Sequence, residues 1–176
     1  MANSANLSLA QSFLAAANQH DVEKVLGMFN DNAEFELVGM YRLEGKEQIR
    51  NVFEYDAGVH TKLELLDIQI EEDTVKGKLI ERNDRLEAIG FNKLDYPSCS
   101  LTFRNGRIQK FSAKADDEAI KEIGGAWAGF LPWVTRKYPF DRASLFTPEG
   151  RFIYNRENGK RVVTLLKEWR KEGLNE

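Results

Sequence analysis

Apolar residues open the chain at helical spacing. Leu7, Leu9, Phe13, Leu14 and Ala17 fall on one helix face, with Asn6 or Ser8 placed to cap it. Asn18 to Asp21 breaks the pattern. Asp21 then caps a second helix whose apolar positions are Val22, Val25, Leu26 and Phe29. Asn30-Asp31-Asn32 reads as a turn. After it, Ala33, Phe35 and Leu37 alternate with Glu34 and Glu36, which predicts a strand with one buried face. Tyr41 to Glu44 reads as a short connection, and Gly45 opens a third helix carrying Ile49, Val52 and Phe53.

From Thr61 the period changes to that of strands. Leu63, Leu65 and Leu66 lead to Ile68 and Ile70, Glu72-Asp73 turns the chain, and Val75 to Ala88 is predicted as the next strand. A loop over Asn92 to Pro97 follows. Cys99, Leu101 and Phe103 then alternate, Asn105-Gly106 makes a hairpin turn, and Ile108 to Ala113 returns. Asp116-Asp117 switches the chain back to helix. Trp127, Phe130, Leu131, Trp133, Tyr138 and Phe140 are interspersed with Gly124, Gly125, Gly129, Pro132 and Pro139, a mixture that predicts short helices with breaks. Phe152 and Tyr154 suit a brief extended segment. Asn155 caps a last helix carrying Val162, Val163, Leu166 and Trp169, and Gly173 stops it. No internal repeat is present.

This order predicts an α+β fold: a domain over 1–115 in which an antiparallel sheet packs on N-terminal helices, and a helical, aromatic-rich extension over 116–176 packed on it. Composition narrows the function classes. With 176 residues the chain can bury a full core, and 42% hydrophobic with 30% charged residues is an ordinary globular balance. A net charge of −3 argues against a nucleic-acid partner. Cys99, between Ser98 and Ser100, is the only cysteine, so no internal disulfide exists and the thiol reads as a small buried hydrophobe. The only histidines are His20 and His60, far apart in sequence, and no metal site is expected. Met1 to Ser8 lacks the pattern of a signal peptide, and no apolar run is long enough for a membrane span; a cytoplasmic location is expected.

Several stretches carry a family resemblance: Phe13-Leu14-Ala15-Ala16-Ala17-Asn18 leading to Asp21, Val25 to Phe29, Asn30 to Phe35, Gly45-Lys46-Glu47-Gln48-Ile49, Glu81-Arg82-Asn83-Asp84, and Phe103 to Ile108. Over residues 6–115 the chain resembles the nuclear transport factor 2-like superfamily, which includes SnoaL-like polyketide cyclases, ketosteroid isomerases, scytalone dehydratases and limonene epoxide hydrolases. The resemblance implies a cone, in which a curved sheet and the helices enclose an apolar cavity. It also implies a homodimer formed through the sheet.

The strongest catalytic candidates are Arg82 and Asp84. Two apart on a strand, they share a face with Ile80 and Leu86. Turned into the cavity, Arg82 would hold Asp84 ionised as a general base. The spacing is similar to the Arg-x-Asp of limonene epoxide hydrolases. The second acid of that machinery falls on Ala113, however, and its first-strand Tyr and Asn fall on Phe35 and Leu37. The ketosteroid isomerase pattern also fits poorly: its helix tyrosine falls on Phe13, its base on an outward Glu36, and its oxyanion acid near Cys99 or Ser100. Arg82 and Asp84 can equally be a structural ion pair. Phe13, Phe35, Leu37, Tyr41 and Phe53 are the expected wall for a small apolar ligand of polyketide, terpenoid or steroid kind. Trp127, with Phe130 and Trp133, is placed either to close the cavity mouth or to pack the extension. Three functions stay open: a cofactor-free cyclase, isomerase or hydrolase; a non-catalytic ligand-binding protein; and a homodimeric association module.

Overall fold

The computed structural model describes residues 2–173. Helix α1 (Ala2–Asn18) buries Ala10, Phe13, Ala16 and Ala17, and the short α2 (Val22–Gly27) buries Val22, Val25 and Leu26. Asp21 caps α2 as predicted, accepting from the Lys24 amide at 3.1 Å. The remaining elements follow in order: β1 (Phe29–Leu37), β2 (Tyr41–Glu44), α3 (Lys46–Gly58), β3 (Lys62–Glu71), β4 (Thr74–Arg82), α4 (Asp84–Ala88), β5 (Leu94–Arg104) and β6 (Arg107–Lys114), then α5 (Asp117–Lys137), α6 (Pro139–Leu145) and α7 (Arg156–Gly173).

The strands form one sheet in the order β2-β1-β6-β5-β4-β3. Its pairs are antiparallel except β1 with β6, which run parallel with Phe35 opposite Phe111 and Leu37 opposite Ala113. The sheet is therefore mixed, not antiparallel throughout. Alternation reports which side of a strand is buried and carries no information about strand direction. Register shifts between Leu66 and Gln69 and between Gly77 and Leu79 mark where the sheet bends. At the bend, a Cβ on Gly77 would lie 2.5 Å from the Leu66 carbonyl oxygen, so the two backbones approach more closely than any side chain allows.

The structure corrects several predicted boundaries. Asn30 to Asn32 lies inside β1, next to an irregular register with β6, and Tyr41 to Glu44 is a strand paired with β1. β5 starts at Leu94. Pro97 is admitted because β5 is irregular against β4 at that point, where no ladder amide is needed. The strand predicted over Val75 to Ala88 stops at Arg82. Asn83 accepts from the Leu86 amide at 2.8 Å and starts α4 instead.

The extension is less broken than its glycines and prolines suggest. α5 runs for 21 residues through Gly124, Gly125, Gly129 and Pro132, capped by Asp116 on the Ala119 amide at 2.9 Å. Burial of Ile123, Phe130, Trp133 and Val134 outweighs its poor intrinsic helicity. Phe152 bridges Phe146, and Asn155 accepts from the Asn158 amide at 2.8 Å, ahead of α7. α7 lies along α3 and α4, where Gly58 of α3 faces Gly159 of α7. A Cβ on Gly58 would overlap the Arg156 carbonyl, and one on Gly159 would sit 3.0 Å from the Tyr55 carbonyl oxygen. Cone and extension thus share one hydrophobic core. No helix of the described residues is long and apolar enough to cross a membrane. Cys99 is buried, and burial pushes its thiol up to about 12.

Candidate functional site

One face of the sheet, together with α3 and α5, encloses a cavity of about 330 Å³. β1 contributes Phe35 and Leu37, β4 Leu79 and Glu81, β5 Leu94 and Tyr96, and β6 Phe111. All six residues expected at the wall line it: Phe13, Phe35, Leu37, Tyr41, Phe53 and Trp127. Phe35 stacks on Phe111 at 4.6 Å and meets Phe53 edge-on at 5.9 Å, a rigid apolar floor. The extension supplies the rest of the wall through Ile120, Ile123, Gly124 and Leu131 of α5, and through Phe146, Phe152 and Tyr154 beyond it.

Trp127 is thus a wall residue, while its predicted companions turn away. Phe130 is fully buried against Trp169 at 5.8 Å. The Trp133 indole donates to Glu172 at 2.6 Å, fastening α5 to α7. Phe130 and Trp133 thus pack the extension, while Trp127 of the same helix lines the cavity.

Arg82 and Asp84 lie outside the cavity, which corrects their expected placement. Arg82 is exposed and pairs with Glu64 at 3.3 Å, and the Asp84 carboxylate takes the His60 ring at 2.7 Å on the surface. The strand phase accounts for Arg82. The inward residues of β4 are Val75, Leu79 and Glu81, so Arg82 faces outward, and Asp84 belongs to a helix. Glu36 also faces outward, ion-paired with Lys110 at 3.5 Å.

Their neighbours take the cavity positions. Glu81 is held by two donors, the Tyr96 hydroxyl at 2.6 Å to Oε2 and the Asn83 amide at 2.6 Å to Oε1. Asp56 enters from the last turn of α3. The Thr61 hydroxyl donates to its Oδ1 at 3.0 Å, and the Thr61 amide donates to its backbone carbonyl at 2.8 Å. Burial pushes the Asp56 carboxyl up to about 8, the negative charge of Glu81 pushes the same way, and the Thr61 bond and Arg85 oppose them. Asp56 lines the cavity.

Arg85 reaches the same space from α4. Its Nε is buried without a hydrogen-bond partner, and Arg85 forms no ion pair with any described residue. The hydroxyls of Tyr41, Tyr55 and Tyr154 line the cavity and hydrogen-bond to no described residue. Burial raises all three phenols above their ordinary range. Their rings are in contact, Tyr154 with Tyr55 at 5.0 Å and with Tyr41 at 5.8 Å. Two carboxyl groups in unlike surroundings, one tightly hydrogen-bonded and one largely desolvated, are equipped to act as base and acid across a bound molecule. Among the described residues no three of His, Cys, Asp and Glu are grouped to hold a metal ion.

No family model matches the sequence, and no curated protein is similar to it. Solved structures are similar in fold. An epoxide hydrolase/cyclase-like enzyme, SalBIII, with a role in pyran ring formation in the polyether salinomycin, superposes with a TM-score of 0.59 at 18% identity, over 67% of this chain and 96% of that one. An LEH-like epoxide hydrolase from M. tuberculosis gives 0.58 at 18%, over 68% and 85%. An NTF2-like protein of unknown function from Cytophaga hutchinsonii gives 0.55 at 17%, over 66% and 94%. Each match covers most of the other chain and leaves part of this one without a counterpart. The chain has the NTF2-like, cystatin-like cone fold.

Proposed function

We propose that this protein is a cofactor-independent enzyme of the isomerase, cyclase or hydrolase kind, moving a proton on an apolar small molecule held in the cavity. One observation carries the reading: Asp56 and Glu81, from different elements, face one mostly apolar cavity beside Arg85. Burying two carboxyl groups there opposes stability, and functional groups are commonly retained at such a cost. Each Glu81 oxygen accepts one bond and keeps a lone pair, so Glu81 serves as the base. Burial favours the protonated form of Asp56, which serves as the acid.

The test is incubation with apolar ketones, enones and epoxides small enough for the cavity, with products read by chiral chromatography and mass spectrometry. Glu81→Gln and Asp56→Asn are each expected to lower kcat about 10²-fold or more while binding persists. A wild-type protein that binds these compounds and converts none would instead be a ligand-binding protein, and the enzyme reading would fall.

A further inference from the structure

The polar end of the cavity is rich in donors that have no partner among the described residues. Tyr41, Tyr55 and Tyr154 each have an unused hydroxyl, and the Arg85 Nε–H is buried with no acceptor in reach. The two oxygens of Glu81 already accept from Tyr96 and Asn83, and Glu81 forms no ion pair with Arg85. A buried guanidinium N–H without an acceptor is strongly unfavourable, so its partner is to be sought in what the cavity binds. Arg85 is also the only cation among the lining residues.

We propose that the ligand carries a single carboxylate, received by Arg85 with the hydroxyls of Tyr55 and Tyr154, and an apolar ring body packed between Phe35, Phe53 and Trp127. A planar guanidinium matches a carboxylate in shape and charge. A phosphate dianion would bring a second negative charge to a wall with one cation. A neutral ketone or alcohol would use the hydroxyls and leave the buried Arg85 Nε–H without an anionic acceptor. The volume, about 330 Å³, is at the small end for ligand cavities and suits a body of one or two rings. This inference rests on the cavity being a small-molecule site, and it holds whether or not that site is catalytic.

The experiment is calorimetric titration of the full chain with 2-naphthoate, 2-naphthalenemethanol and 2-naphthyl phosphate. Naphthoate is expected to bind at least tenfold more tightly than the alcohol and more tightly than the phosphate. Arg85→Met is expected to reduce the preference for naphthoate over the alcohol to under twofold while leaving the alcohol's affinity unchanged, and Arg85→Lys to keep part of the preference. Should Arg85→Met fail to fold, the neutral and polar Arg85→Gln must reduce the preference for naphthoate over the alcohol in the same way. Equal binding of acid and alcohol, a preference that survives Arg85→Met, or tighter phosphate binding would each overturn the carboxylate and leave the cavity reading intact. Binding of none of the three would overturn both.

Discussion

Thr61 grips Asp56 twice, with its hydroxyl on Oδ1 at 3.0 Å and its amide on the backbone carbonyl at 2.8 Å. The double contact fixes the carboxyl where α3 gives way to β3. The partial negative charge at the helix C-terminus also disfavours an ionised acid there.

Folded Asp56 holds its proton up to about 8, whereas its ordinary value is 3.8. Between those values the folded state binds more protons than the unfolded state. The contribution of Asp56 to stability is therefore greatest below about pH 4, declines as pH rises toward 8, and then levels off. The decline is on the order of a few kcal/mol. Asp56→Asn, with no proton to lose, should match wild type in urea unfolding at pH 4 and exceed it at pH 9. Parallel stability curves for the two proteins would show that Asp56 ionises freely in the fold.

The residues either side of the β4 end should behave oppositely. Arg82→Ala and Asp84→Asn break solvent-exposed pairs with Glu64 and His60, so each should change stability by no more than about 1 kcal/mol and leave ligand binding and turnover intact. Tyr96→Phe removes a donor from the enclosed Glu81 carboxylate and should cost about 1–3 kcal/mol. Chemical denaturation alongside the product assay separates the two classes. Loss of turnover in Arg82→Ala would return the chemistry to the outer face of the sheet.

Gly124 lines the cavity from inside α5, and a Cβ there would meet no atom within 4 Å. Its absent side chain leaves room at the cavity wall. Gly124→Leu should therefore stabilise the helix by up to about 1 kcal/mol while excluding the bulkier ligands. Thermal melting and a ligand size series measure the two effects. Unchanged size selection would mean that ligands do not reach this part of α5.

Gly58 presents the reverse case. A Cβ there overlaps the Arg156 carbonyl, so Gly58→Ala should force α7 away from α3 and cost about 1–3 kcal/mol despite alanine's better helix propensity. Hydrogen exchange should show the loosening first in α7. Uniform loss of protection across the sheet instead would mean that cone and extension open as one unit.

Much of the frame was legible because period alone separates helix from strand. α1 and α3 needed nothing more, the hairpin was read from the Asn105-Gly106 turn, and the cavity-wall aromatics were expected from the family resemblance. The cavity-facing position of β4 was misplaced by one residue. Leu79 and Ile80 are both apolar, so the phase of β4 was ambiguous, and choosing Ile80 selected Arg82 in place of Glu81. Asn83 read as a strand residue, although its helix-capping role leaves Asp84 on the surface and delivers Arg85 to the cavity. Asp56 did leave a trace: Ile49, Val52, Phe53 and Asp56 follow helical spacing, which sets a carboxyl on the apolar face of α3. Tyr154 and Gly124 left none, since their places depend on how the extension folds back.

The parallel pairing of β1 with β6 governs when the molecule can be finished during its synthesis. β1 emerges early, yet its inner neighbour begins only at Arg107, and the helix that covers α3 begins only at Arg156. Until then a growing chain carries first a strand paired on one edge only and then an uncovered helix, with the loop-closing entropy still to be met. Ribosome-bound chains ending before Arg156 should therefore remain protease-sensitive and engage chaperones, and the enclosed chamber should form in one late step rather than piece by piece.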